Sequence, residues 1–225
     1  MLRQSRHHRS LKQNLMLASS TAFAAGVINV AALVSFFAFS SSISGHMAKL
    51  ANNLVSQNFE EVLIFFAWLN LFFLGSFISS FTVNSYGSVN PYRAHAIPIV
   101  LEIVVLLFVA IYGHNFYKET KVEREVVIGC TIFAMGLQTG LVTVISNGLI
   151  KSTSLASLFT DLGAELAEYF HIGTNRDKRI RHRLYVRITV LLFYLIGGLV
   201  GGYFFNKLAF DVFYFVPVIL ILVLL

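Results

Sequence analysis

Six runs of apolar residues divide the chain, at 16–39, 60–83, 96–113, 126–150, 184–206 and 208–225. Each is near the roughly 20 residues a helix needs to cross a hydrocarbon core, so each predicts a transmembrane helix. The first and fourth runs end in hydroxyl clusters, Ser40-Ser41-Ser42-Ile43-Ser44-Gly45-His46 and Lys151-Ser152-Thr153-Ser154. Short hydroxyl side chains compete for backbone groups, so these clusters predict breaks. Beyond each break a helical period returns, over a stretch too short and too polar to span. Ile43, Met47, Leu50 and Leu54 share one face, with His46, Lys49, Asn53 and Gln57 opposite. Leu155, Phe159, Leu162 and Leu166 share another, with Ser157, Asp161, Glu165 and Glu168 opposite. Each short helix is expected either to lie flat at the interface or to dip into the protein as a half-helix beside a cavity.

The same order of features occurs twice: span, break, amphipathic stretch, glycine-rich span, proline-bearing span. Gly26 and Gly136 are 110 residues apart, and the amphipathic faces superpose at an offset of 112. Gly75 and Ser79 match Gly197 and Gly201 at 122, and Pro98 matches Pro217 at 119. The repeat is one of pattern rather than residue identity. Three spans per half is an odd number, so the second copy must be inverted in the membrane, as in many secondary transporters. The expected fold is all-α and polytopic: six transmembrane helices as two inverted three-helix repeats, each with a short amphipathic helix after its first span. The single transmembrane domain divides into repeats at about 16–113 and 126–225, preceded by a basic tail at 1–13.

Composition supports a lipid-solvated chain. Only 12% of residues are charged, 56% are hydrophobic and mean hydropathy is +0.73, where soluble domains carry about a quarter charged residues. Six spans leave no room for a separate soluble domain. The first run is too long for the core of a cleaved signal peptide, about 7–15 residues. Cys130, the one cysteine, lies inside a span and reads as a small packing residue. The pI near 9.5 has its source in orientation: with the N-terminus inside, twelve Lys and Arg fall on inner segments against five on outer ones. Both termini are therefore expected in the cytoplasm, with the basic tail and the loop His171–Arg183 against anionic lipid headgroups. Nucleic acid is not an expected partner. The adjacent His7 and His8 lack the spacing of a metal site on a helix, and no metal or cofactor is expected.

Two groups of residues stand out. Gly26, Gly75, Ser79, Gly136, Gly197 and Gly201 have the spacing that lets helices approach closely. The polar groups at membrane depth or on the short helices are candidate cavity-lining, substrate-binding residues: Asn29, Ser44, Gly45, His46, Lys49, Glu102, Gln138, Thr139, Ser154 and Asp161. Glu102 is a carboxyl within a span, a functional candidate by default. Lys49 and Asp161 fall at matched positions and would face a shared cavity if both short helices dip inward.

Gly26-x-x-Asn29, the Ser44-Gly45-His46 turn, Ala134-Met135-Gly136-Leu137-Gln138 and Thr160-Asp161-Leu162-Gly163 resemble the YoaK family (DUF1275, also UPF0700). The resemblance covers nearly the whole chain and implies a multi-pass bacterial inner-membrane protein, with no established activity attached. Relatives usually have Asp at the place of Asn29 and Thr-Gly-Asn at the place of Ser44-Gly45-His46. If that Asp carries protons in relatives, this chain lacks the role or moves it to Glu102 or His46.

Three functional readings follow. Inverted halves, broken helices and intramembrane polar groups point to a secondary transporter or permease of a small solute. The glycine faces point instead to a structural or regulatory protein, assembling as a homo-oligomer. A membrane-embedded enzyme has the least support, because the sequence has no ligand-spaced His, Asp or Glu cluster, no nucleotide-binding glycine loop and no serine with an evident base.

Overall fold

The computed structural model describes residues 10–171 and 178–224, which form eight α-helices and, among the described residues, no strand. They are α1 (Leu11–Phe36), α2 (Ile43–Val55), α3 (Phe59–Tyr86), α4 (Pro91–Asn115), α5 (Lys121–Ile145), α6 (Leu155–Phe170), α7 (Lys178–Leu208) and α8 (Val212–Leu224). The capping box of Ser10 with Gln13 starts α1 at Leu11, inside the stretch expected as a tail. The rest of that tail, with His7 and His8, and residues 172–177 of the basic loop lie outside the described residues. Asn58 caps α3, Asn90 caps α4 with Pro91 in its first turn, and Thr120 forms a capping box with Glu123 on α5.

Five segments are long and apolar enough to cross a membrane: α1, α3, α4, α5 and the stretch Lys178–Leu224. The last expected span, 208–225, is the 13-residue α8, reached from α7 through a 3-10 turn at Ala209–Asp211. The chain reverses at that turn. The rings of Phe204 and Phe215 lie 5.8 Å apart, whereas an unbroken helix would separate them by about 16 Å.

Two parallel seams hold the bundle together. Along α1 and α7, Asn14 meets His182 (3.4 Å) and Phe36 meets Phe210 (5.9 Å between rings). Between them, a Cβ added at Gly26 would strike the Tyr194 carbonyl, one at Gly197 the Phe23 carbonyl, and one at Gly201 the Val27 backbone. Along α3 and α5, Lys121 pairs with Glu60 (2.8 Å). A Cβ at Gly75 would strike the Phe133 carbonyl, one at Gly136 the Phe72 carbonyl, and one at Gly140 the Ser76 backbone. In lipid no hydrophobic force draws apolar helices together, so this backbone-to-backbone contact supplies the dispersion that does.

The helix directions follow from the ends. Phe36 at the end of α1, Tyr117 after α4 and Phe210 after α7 form one aromatic cluster, so these three helices finish at the same end of the bundle. Helix α5 begins there, where Tyr112 donates to Glu123 (3.0 Å). The outer surface is apolar, with Phe73, Phe77 and Phe81 stacked in an exposed row on α3 and Val100, Val104 and Phe108 exposed on α4. A continuous apolar surface of this kind belongs against hydrocarbon.

Candidate functional site

Phe37, which follows α1, takes the left-handed region at φ 54, and there the chain turns back into the protein. The fully buried Asn29 accepts hydrogen bonds from the Ser41 backbone N–H (3.0 Å) and hydroxyl (3.1 Å), while its own Nδ2 donates to the Ala25 carbonyl. Asn29 sits seven residues before the end of α1, so Ser41 has returned by about 10 Å along the helix. The second break does the same. Thr139, in the last two turns of α5, shares a 2.9 Å hydroxyl contact with Thr153. The two breaks then touch, with the Ser41 hydroxyl donating to the Thr153 carbonyl at 3.4 Å. Both short helices therefore start inside the bundle rather than on its surface.

Where the breaks meet there is a partly open cavity of about 640 Å³. Hydroxyls of Ser41, Ser42, Ser44, Thr139, Thr153 and Ser154 line it, with Phe39, Phe72, Tyr194, Ile43 and Leu155 as its apolar wall. A recess of about 50 Å³ shares Thr139, Thr153 and Ser154 with it and adds Lys151 and Ser152.

From the cavity α2 runs out along α3, and α6 runs out along α7. On each, one polar residue turns inward while part of the apolar face stays exposed. His46 is buried, its Nε2–H donating to the Phe39 carbonyl (2.8 Å) and its ring packing on Phe65 and Trp68. Met47 and Leu54, on the apolar face, are about half exposed, at 52% and 51%. In α6 the buried polar residue is Glu165. Arg187 of α7 donates to Glu165 (2.7 Å) and Asp161 (2.8 Å), and Lys151 also pairs with Asp161. The apolar Phe159 is 56% exposed. Polar groups turn toward protein because the surroundings are lipid.

The ten candidate residues separate into distinct places. Ser44, Thr139 and Ser154 line the cavity. Asn29 lies behind it as a brace, and Gly45 and His46 lie on the far side of the α2 turn, Gly45 with Ser42 Oγ 2.8 Å from where its Cβ would be. Lys49 and Asp161 do not face one another. Lys49 sits over the Phe65 ring at 5.5 Å, whereas Asp161 is held by Lys151 and Arg187. Glu102 and Gln138 are each 1% exposed, with Glu102 Oε1 and both Gln138 amide atoms unpaired, and neither lines the cavity. Ser79 is buried with its hydroxyl unpaired beside the α3–α5 seam. Sequence reasoning missed Ser41, Thr153, Phe72, Tyr194 and Arg187. The matched offsets could have found four of them, because Ser41 and Thr153 are 112 residues apart and Phe72 and Tyr194 are 122 apart.

No curated protein and no solved structure matches this chain. A family model described as a protein of unknown function matches residues 17–225, and the chain therefore belongs to the DUF1275 family.

Proposed function

We propose that this protein is a secondary transporter or permease for a small solute, built as two inverted three-helix halves with the solute site in the cavity between their breaks. One observation carries the reading: the cavity and the seams around it are made of matched pairs. Ser41 with Thr153, Ser42 with Ser154 and Ile43 with Leu155 are each 112 apart, and Phe72 with Tyr194 is 122 apart. The seams obey offsets of 110 and 122. Gly26 against Tyr194 becomes Gly136 against Phe72, and Gly197 against Phe23 becomes Gly75 against Phe133. Exchanging α1–α4 with α5–α8 turns each seam into the other. A solute site on such an axis, lined by broken helices, is the arrangement alternating access requires.

The bias of Lys and Arg supports placing the Lys178 end of α7 in the cytoplasm, at anionic headgroups, in a bacterial inner membrane. The structural reading drew on glycine faces meeting another copy. Gly26, Gly75, Gly136, Gly197 and Gly201 each contact a helix of the same chain instead, which favours transport. Glu102, buried with its Oε1 unpaired among the described residues, is the group we assign to proton coupling. Reconstituted vesicles given small organic acids, amines and amides should show solute-driven proton flux, abolished by Glu102→Gln and by Ser42→Phe, which fills the cavity. Absence of flux with every compound, or unchanged flux in both variants, rejects the reading.

A further inference from the structure

The first turns of the short helices differ from those of the long ones. Helices α1, α3, α4 and α5 each have a side chain that accepts from a first-turn amide, whereas α2 and α6, entered at Ser42 and Ser154, have no side-chain cap. Both of these uncapped N-termini open on one cavity, which Ser42, Ile43, Ser44, Ser154, Leu155, Ala156 and Ser157 line. Each brings free N–H donors and about half a positive charge.

A second, independent feature points to a ligand. Ser152 is 2% exposed, its hydroxyl has no hydrogen-bond partner, and it lines the recess shared with the cavity. A buried hydroxyl left unpaired costs free energy that an acceptor placed there recovers. Lys151 lines the same recess, and neither lining includes a carboxylate. Lys151 is already paired with Asp161, so the two helix N-termini and the unpaired Ser152 hydroxyl are what favour a negative occupant. The opposite wall, Phe39, Phe72 and Tyr194, is aromatic.

Building on the proposed solute site, we infer that its occupant is a small carboxylate on an apolar or aromatic body, the carboxylate held between the N-termini of α2 and α6. Benzoate and its neutral isostere benzamide are the probes, titrated by calorimetry into the full chain in lipid nanodiscs. Benzoate should bind at least tenfold more tightly than benzamide. Ser44→Pro and Ala156→Pro each delete one first-turn amide at a position where helices tolerate proline. Each should weaken benzoate about tenfold, the loss expected for one hydrogen bond to a charged group. Ser44→Ala and Ala156→Ser change the lining but keep the amides, and each should weaken benzoate less than the proline variant at the same position. Equal affinity for the two probes overturns the inference, as does unchanged benzoate binding by proline variants that retain the parent's helical circular dichroism and elution volume. Absence of binding by either probe overturns it too. Vesicle uptake separates this inference from the transport reading. Uptake of benzamide but not benzoate leaves transport standing and removes the carboxylate, whereas charge-selective binding without uptake does the reverse.

Discussion

Asn29→Leu should strip the first break of its anchor, leaving the Ser41 amide without its acceptor while the Ser41 hydroxyl keeps the Thr153 carbonyl. An orphaned buried donor costs about 1–3 kcal/mol, so the apparent unfolding temperature in detergent should fall. Thr139→Val should cost less, because the Thr139 hydroxyl meets the Thr153 hydroxyl and the Met135 carbonyl, and its loss orphans no backbone amide. Equal losses would show that the two braces do not differ in this way. At this scale the sequence was partly legible. An amide in a span demands a partner, so Asn29 stood out, but its partner lies 12 residues on, across a reversal that no local pattern announces. Phe72 and Tyr194 were hidden for a different reason: among 22 Phe and 9 Tyr, two aromatic residues in a span carry no signal of their own.

Among the elements, the two short helices occupy matched positions with unlike chemistry. Lys49 over Phe65 on one side corresponds to Asp161 on Arg187 on the other, at offsets of 112 and 122. Arg187→Ala leaves Glu165 and Asp161 short of a cation. Breaking a buried ion pair costs about 3–5 kcal/mol, and the lower end applies because Arg183 stands 3.5 Å from Glu165. Lys49→Ala removes a cation–π contact worth roughly 0.5–1 kcal/mol at an exposed site. Thermal unfolding of the two variants should therefore separate clearly, with Arg187→Ala the less stable. The long seams offer another comparison. Gly197→Leu and Gly75→Leu must push helices apart, at about 1–3 kcal/mol or more for overpacking, whereas nothing lies within 4 Å of a Cβ added at Gly163. Gly163→Leu should unfold as the parent does, and equal losses at all three positions would contradict the seam. The periodicity in α2 and α6 located both faces correctly. It could not say which residues turn inward, because that depends on the neighbouring helix: His46 and Glu165 are buried while Lys49 and Glu168 of the same faces stay exposed.

At the scale of the molecule, spacing carried most of what was legible. Offsets of 110, 112 and 122, weak as sequence identity, recur as contacts between Gly26 and Gly197, Gly75 and Gly136, and Ser41 and Thr153. Whether the breaks dip inward was not legible, because it depends on Asn29 and Thr139 reaching across turns. The last run was legible as apolar but not as a hairpin, since the reversal at Ala209–Asp211 rests on tertiary packing of Phe210. If the halves are inverted, the outer ends of α2 and α6 emerge on opposite faces of the membrane. Labelling with a membrane-impermeant thiol reagent, in a Cys130→Ser background, tests this directly with single cysteines at Gln57, after α2, and His171, after α6. Gln57→Cys should react in intact cells and His171→Cys only after permeabilisation. Reaction of both from the same side would contradict the inverted architecture and, with it, the shared cavity as a transport site.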